Sequence, residues 1–479
     1  MNPLILPGRA ISLALTLALL ISSCTNRPDT QVNGPLVSTV QMSAMAGRAS
    51  LIAKVRNPVT STRLGLAMLM QRAEELVRGN IPFLVDPPPR TSGIPGSREF
   101  AASLTRLGLP APTPGTVELL VDGTEFFPAL EEELRSARES IDLQLYIWDN
   151  DDISVHYADL VKRHGRSVPT RILLDDIGST VSASLEPRTP APAGFRAVPD
   201  MARYLRRDSS LQLRRILNPW AVLDHCKLLV FDGRTALLGG INIGREYYSE
   251  WHDLMVRVRG PVVDQLQPEF DKKWRIAHPL GDLSLLWTPP GFSPRAGPPP
   301  PGSFPIRVLS TNLLEGRREP LEATLRAIRA SRSRVWIENE YITSDRILDA
   351  LISACRRGID VRVIIPVLPD DPIEKIMDLA NHQAAGVLLR AGAIVYRYPG
   401  MTHMKATICD GWATVGATNL DTHSLQISYE LNISYSDPNA VRELARRVFA
   451  KDFAASKRLT IEDTRGWFNP FVEPLADQL

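Results

Sequence analysis

Asp224-His225-Cys226-Lys227-Leu228-Leu229-Val230-Phe231-Asp232-Gly233 and Thr402-His403-Met404-Lys405-Ala406-Thr407-Ile408-Cys409-Asp410-Gly411 are two copies of one pattern, H-x-K-x4-D. At ordinary residue frequencies, one such match arises by chance in on the order of one chain in a hundred of this length. Two matches make accident a poor account. Side chains two apart on a strand project from the same face, so the spacing predicts a surface that presents an imidazole beside an ammonium. The Asp-Gly that follows suits a type I′ hairpin. The returning strands lead to Gly239-Gly240-Ile241-Asn242 and Gly416-Ala417-Thr418-Asn419, so each copy offers an imidazole, a cation and an amide. Asp232 and Asp410 complete the candidate catalytic set, and the role that suits their chemistry is turn formation and charge balance for a buried lysine. Cys226 should point away from His225 by alternation. Cys409 stands where the first copy has Phe231, so the motif implies no metal and no cofactor.

The flanks of the motifs repeat as well. Apolar patterning predicts a strand over 117–121, a helix over 127–138, a strand over 141–147, a helix over 155–163 and a strand over 170–174. The same order recurs as a strand over 306–309, a helix over 319–330, a strand over 334–341, a helix over 345–356 and a strand over 360–365. Strand-helix alternation points to an α/β fold. Between the repeats lies a Pro-rich linker, 287–305, containing Pro298-Pro299-Pro300-Pro301, which can continue neither a helix nor a central strand. The expected units are therefore 117–286 and 306–457, followed by a tail over 458–479. Two copies make an internal duplication rather than a solenoid. They suggest a pseudo-twofold arrangement with a site between the halves.

Composition bounds the partners. The chain has 479 residues, 44% hydrophobic, with 55 basic and 53 acidic residues and a formal net charge of +2. That is enough material for two or three domains with buried cores. The near-neutral balance gives no electrostatic case for a nucleic-acid partner. Four cysteines at 24, 226, 355 and 409 lack the spacing of a disulfide framework. At the N-terminus, Arg9 precedes an apolar run over 10–21, well short of the ~20 residues that span a bilayer. The run ends at Ile21-Ser22-Ser23-Cys24, which resembles the lipobox of bacterial lipoproteins, in which the cysteine is diacylated after cleavage. Residues 1–24 thus read as a lipoprotein signal peptide. Residues 25–116 read as a polar tether, to about residue 45, followed by a helical and Pro-rich region. The expected location is the cell envelope, exported and lipid-anchored through Cys24. Thr25 in the next position favours the outer over the inner membrane, facing the periplasm.

The paired motifs, together with Tyr146-Ile147-Trp148, Asp175-Asp176-Ile177-Gly178-Ser179, Glu250-Trp251-His252-Asp253-Leu254 and Gly416-Ala417-Thr418-Asn419-Leu420-Asp421, resemble the phospholipase D superfamily, in particular its bacterial cardiolipin synthase-like branch. The resemblance spans residues 117–457. It implies duplicated α/β domains with mixed sheets flanked by helices and one active site at their interface. It further implies a phospholipid substrate, membrane association, and transfer of a phosphatidyl group between phospholipids through a phosphohistidine. In the family a downstream carboxylate hydrogen-bonds each catalytic imidazole, and the matching positions are Asp253 and Glu430. Two departures stand out. The second hairpin is one residue shorter than the first, and Gly240 and Ala417 stand where the family often has Ser or Thr.

The chemistry suits this set. A phosphodiester is a poor electrophile because its non-bridging oxygens are anionic. A catalyst must neutralise them, supply a nucleophile and protonate the leaving alkoxide. Lys227, Lys405, Asn242 and Asn419 would hold the phosphoryl oxygens. One imidazole would attack phosphorus while the other moves protons; the resemblance implies His225 as nucleophile and His403 as acid and base. The same motif serves a phospholipase D-type hydrolase or a nuclease, in which water is the acceptor. A non-catalytic envelope binding protein that has kept the fold is the alternative outside enzymology.

Overall fold

The computed structural model describes residues 39–80, 92–179, 189, 191–286, 297–368 and 372–464. The expected signal peptide with Cys24, part of the linker and most of the tail lie outside these residues. The first half supplies β1 (Thr113–Val121), β2 (Ile141–Leu145), β3 (Thr170–Asp175), β4 (Gln212–Ile216), β5 (Leu228–Phe231), β6 (Thr235–Gly239) and β7 (Leu254–Arg259). The second supplies β8 (Phe304–Asn312), the two-residue β9 (Arg317–Arg318), β10 (Arg334–Asn339), β11 (Asp360–Ile365), β12 (Ile394–Arg397), β13 (Lys405–Cys409), β14 (Trp412–Gly416), β15 (Glu430–Tyr435) and β16 (Lys457–Arg458).

The strand order in the first half is β1-β7-β6-β5-β2-β3-β4, and in the second β8-β15-β14-β13-β10-β11-β12-β16. The two orders are the same path traced twice, so the duplication read from the sequence is a duplication of topology. Strands β2, β3 and β4 run parallel through helical crossovers, whereas β5, β6 and β7 form an antiparallel meander. The halves join where β1 pairs antiparallel with β8 over three residues, Thr113 with Ile306, Pro114 with Pro305 and Gly115 with Phe304. Paired prolines donate no hydrogen bonds, which keeps this seam short.

Burial explains why the sheet is a centre rather than an edge. β2, β5, β6, β13 and β14 are buried at every position. Each half covers one face with its own helices: Phe126, Phe127 and Leu130 of Asp122–Ser136 pack on Leu143 and Leu237, and Leu321, Leu325 and Ile328 of Glu319–Ala330 pack on Ile337 and Val363. The opposite faces share a single core, in which Leu228, Val256 and Phe270 of one half meet Ile408, Val415 and Phe449 of the other. The hydrophobic effect thus holds the halves together as one body rather than as two tethered domains.

The sequence reading and the structure part at several places. Residues 39–45, expected within a mobile tether, begin a helix, Thr39–Arg56, because the Ala- and Met-rich stretch has strong helix formers and no proline. A second helix, Pro58–Asn80, lies in the region expected to be helical after the tether. Strands β4 and β12 were not anticipated; β4 carries Arg214 and Arg215, and β12 is only four residues long. No described helix is long and apolar enough to cross a membrane.

The two Asp-Gly turns differ in kind. Asp232 and Gly233 both adopt positive φ (53° and 63°), within a three-residue loop between Phe231 and Thr235. The second loop has two residues between Cys409 and Trp412; Asp410 has φ 49°, whereas Gly411 lies outside the left-handed region, so it is not a type I′ turn. The aspartates themselves do one job in both places. Asp232 accepts the backbone N–H groups of Arg138, Glu139 and Ser140 at 2.7–3.1 Å, and Asp410 those of Arg332, Ser333 and Arg334 at 2.8–3.0 Å. They sit at the far end of the hairpins from the lysines. The structure corrects both the catalytic assignment of Asp232 and Asp410 and the idea that they balance the lysine charge; they pin the entry of β2 and β10.

Asp232→Ala removes hydrogen bonds to a charged acceptor and puts alanine at positive φ, which together should lower stability by about 2–4 kcal/mol. Asp232→Asn keeps the left-handed preference and should cost less. Urea denaturation midpoints at constant slope check the ranking.

Candidate active site

His225 and Lys227 lie on the segment that enters β5, and His403 lies on the segment that enters β13, of which Lys405 is the first residue. Each segment is clamped by backbone to the other half. His225 N donates to Tyr429 O (3.0 Å) and Tyr429 N to Leu223 O (2.8 Å); His252 N donates to Met401 O (3.0 Å) and His403 N to His252 O (2.7 Å). The residue after each clamp is a carboxylate, Glu430 or Asp253, so it is delivered beside the histidine of the opposite half. Glu430 lies 3.1 Å from His225 Nδ1, and Asp253 Oδ2 lies 2.7 Å from His403 Nδ1. The pairing of carboxylates with imidazoles, left open by the sequence, is crossed. Gly240 lies against this crossing: a Cβ there would lie 2.2 Å from Asp253 Oδ1, so a side chain at 240 would require that carboxylate to shift.

The result is a single site. The two imidazole rings are 6.5 Å apart between centroids. Tyr146 packs edge-on against His225 (4.8 Å), and Tyr247 and Trp251 flank His403 (5.6 and 5.5 Å). Lys227 Nζ donates to His225 O (2.9 Å) and faces the Tyr146 ring at 5.1 Å; Lys405 Nζ donates to His403 O (2.7 Å). Asn242 Oδ1 accepts from Ile147 N, which leaves its amide nitrogen as the group on offer. Asn419 Nδ2 reaches Glu340 Oε2 at 3.2 Å.

Glu340 is the residue that sequence reasoning missed. Its Oε2 accepts from Lys405 Nζ at 2.8 Å and lies 3.2 Å from His403 Nε2, so one carboxylate oxygen meets the lysine, imidazole and amide of the second motif together. Tyr146 occupies the equivalent place in the first half, one strand end over from Lys227. The signal was present: Glu338-Asn339-Glu340 closes a buried strand where the first half reads Gln144-Leu145-Tyr146, and a buried acid is informative.

Burial sets the protonation states. Burial, then the Lys227 and Lys405 ammoniums, hold His225 well below the ordinary histidine range, and burial with Lys405, Lys227 and His225 does the same to His403. Burial also brings Lys227 down to about 8 and pushes Asp253 up to about 8. Both rings therefore begin neutral in the free site, and an arriving phosphodiester supplies the negative charge that favours protonating one of them.

A duplicated α/β fold that brings two His-Lys-Asn sets to one point across its seam defines an enzyme of the phospholipase D type. The family described as cardiolipin synthase, PLD-like domain, matches residues 130–274 and 324–452. The chain is 30% identical over 395 residues to cardiolipin synthase A of Pseudomonas entomophila, covering 77% of this chain and 75% of that one. It is 28% identical over 358 residues to the major cardiolipin synthase ClsA of Bacillus subtilis, covering 73% and 71%. Its fold is similar to the crystal structure of phosphatidylserine synthase from Haemophilus influenzae, with a TM-score of 0.57 at 14% identity over 79% of this chain and 96% of that one. The chain belongs to the cardiolipin synthase, PLD-like domain family of the phospholipase D superfamily.

The shifted groups predict the pH dependence of kcat/KM. Lys227 loses its proton as pH rises through about 8, so kcat/KM should fall above that value. Because the imidazoles are held below their ordinary 6.5, the acid limb should lie below that pH. Lys227→Arg, which stays protonated, should move the alkaline limb upward by at least about one unit. A rate that climbs steadily to pH 10 in the unmodified enzyme contradicts this assignment.

Proposed function

We propose that this enzyme transfers a phosphatidyl group from one phospholipid to the alcohol of another, as in forming cardiolipin and glycerol from two molecules of phosphatidylglycerol. The observation that carries the proposal is the single site in which two imidazoles, each backed at Nδ1 by a carboxylate, stand 6.5 Å apart with a lysine and an asparagine on either side. With Nδ1 engaged, Nε2 is the reacting nitrogen of each ring.

His225 Nε2 attacks phosphorus, the P–O bond to the first headgroup breaks, and His403 donates its proton to the departing alkoxide. The acceptor hydroxyl then gives a proton to His403 and attacks the phosphohistidine, breaking the P–N bond and restoring both rings. The order of the pair is supported by Glu340 at 3.2 Å from His403 Nε2: a ring with a carboxylate at both nitrogens is suited to carry the proton. The Lys227 and Lys405 ammoniums neutralise the phosphoryl oxygens, and the Asn242 and Asn419 amides donate hydrogen bonds to them. Glu340 gives up Lys405 and Asn419 when the anionic phosphodiester enters. Diacylated Cys24 would keep the site beside its lipid substrates at the outer membrane, facing the periplasm.

Purified full-length protein given radiolabelled phosphatidylglycerol should form cardiolipin. His225→Ala and His403→Ala should each reduce turnover by at least about a thousandfold with the fold retained. Phosphatidic acid as the main product assigns a hydrolase instead, and an unchanged substrate assigns a binding protein. Two acyl chains anchor firmly, so Cys24→Ser should release the protein from the membrane fraction on cell fractionation.

A further inference from the structure

The two halves solve the same electrostatic problem differently just behind their motifs. In the first half, Asp224 accepts from Gln144 Nε2 (2.7 Å) and from Lys273 Nζ (2.8 Å). Lys273 comes from the helix Val263–Ile276 and lies 3.1 Å over the Tyr429 ring. One buried anion thus faces one buried cation. The equivalent place in the second half is fixed by register: Gln144 pairs with Leu228 next to Lys227, and Glu338 pairs with Ala406 next to Lys405. Thr402 stands for Asp224, His252 for Tyr429, and Asp452, from the C-terminal helix Ala450–Ala455, for Lys273. The lysine has been replaced by an acid, and the glutamine by another.

These three side chains converge. Ligand atoms of His252, Glu338 and Asp452 lie within 4.8 Å of one another, Glu338 being fully buried and Asp452 4% exposed. His252 Nε2, Glu338 Oε2 and Asp452 Oδ2 complete no hydrogen bond, although His252 Nε2 and Asp452 Oδ2 are 3.2 Å apart. Their outer atoms are already committed. His252 Nδ1 is 2.7 Å from Asp122 Oδ1, Thr402 Oγ1 donates to Glu338 Oε1 at 2.6 Å, and Tyr398 stacks on the imidazole at 4.9 Å. Against burial, the Asp122 and Asp452 carboxylates push the His252 imidazole up to about 11, so a metal ion binds here by displacing the Nε2 proton, and the carboxylate behind Nδ1 then orients the ring as in a metal-bound histidine.

We infer that His252, Glu338 and Asp452 form a binding site for a divalent transition-metal ion. One imidazole nitrogen and two carboxylate oxygens suit zinc, with water completing the tetrahedron. The ion takes the place of the Nε2 proton of His252, at the position where the first half has Lys273. It joins His252 of one half to Glu338 and Asp452 of the other, directly behind the His252–His403 backbone clamp. It is a structural cation, outside the transfer chemistry, and the site stands or falls independently of the proposed reaction.

The full-length chain, stripped with a chelator and titrated with zinc sulfate under calorimetry, should take up one equivalent. X-ray absorption should then show nitrogen and oxygen neighbours at about 2.0–2.2 Å and no sulfur. Glu338→Gln and Asp452→Asn should abolish stoichiometric uptake, and Asp122→Asn should weaken it about 10- to 100-fold. Asp452→Lys installs the first half's own solution, so it should fold and melt normally while binding no zinc at this site. No saturable uptake by the wild-type chain, a shell containing sulfur, or full uptake by the folded Asp452→Lys variant overturns the assignment.

Discussion

The crossed carboxyl–imidazole contacts, Glu430 with His225 and Asp253 with His403, are the constraint to which the rest of the structure answers. Each is made because a backbone bridge, Asp224 to Tyr429 or His252 to Thr402, lays the acid-bearing strand of one half against the motif of the other. A buried imidazole is a weak nucleophile in the wrong tautomer and a poor acid without a counter-charge, so orientation by the opposite half is part of the chemistry. The shared apolar core and the β1–β8 seam hold these bridges in register. The halves are therefore not two catalysts side by side but the two parts of one.

Within that symmetry the site is asymmetric where the chemistry requires it. Lys227 faces an aromatic ring, Tyr146, whereas Lys405, Asn419 and His403 face the Glu340 carboxylate. The first motif presents an ammonium weakened by burial, and the second presents donors already holding an anion. Duplication supplied identical tools, and single substitutions at the strand ends made their duties different. The same divergence appears one layer back, where a glutamine and a lysine in one half are two acids in the other.

Much of this was legible in the residues. The helices Glu319–Ala330 and Asp345–Arg356 and the strand Asp360–Ile365 fall where periodicity put them, since each carries an uninterrupted apolar face and clear ends. The repeated motif identified the histidines and lysines, and the topology follows the duplication. What escaped reading is long-range or local in a misleading way. No spacing reveals that Glu430 serves His225, because that depends on a bridge between segments some two hundred residues apart in the chain. Glu340 looks like an exposed strand-end acid until the fold buries it. Asp232 and Asp410 belong to the motif by position, yet their carboxylates act on the backbone of a neighbouring loop.

The crossing has a consequence for biogenesis. During synthesis His225 emerges long before Glu430, and His403 emerges long after its own partner Asp253. Neither ring has its supporting acid until the second half has been made and has folded back on the first. A partly made chain, or one truncated before Glu430, thus carries incomplete chemistry, and competence arrives only with closure.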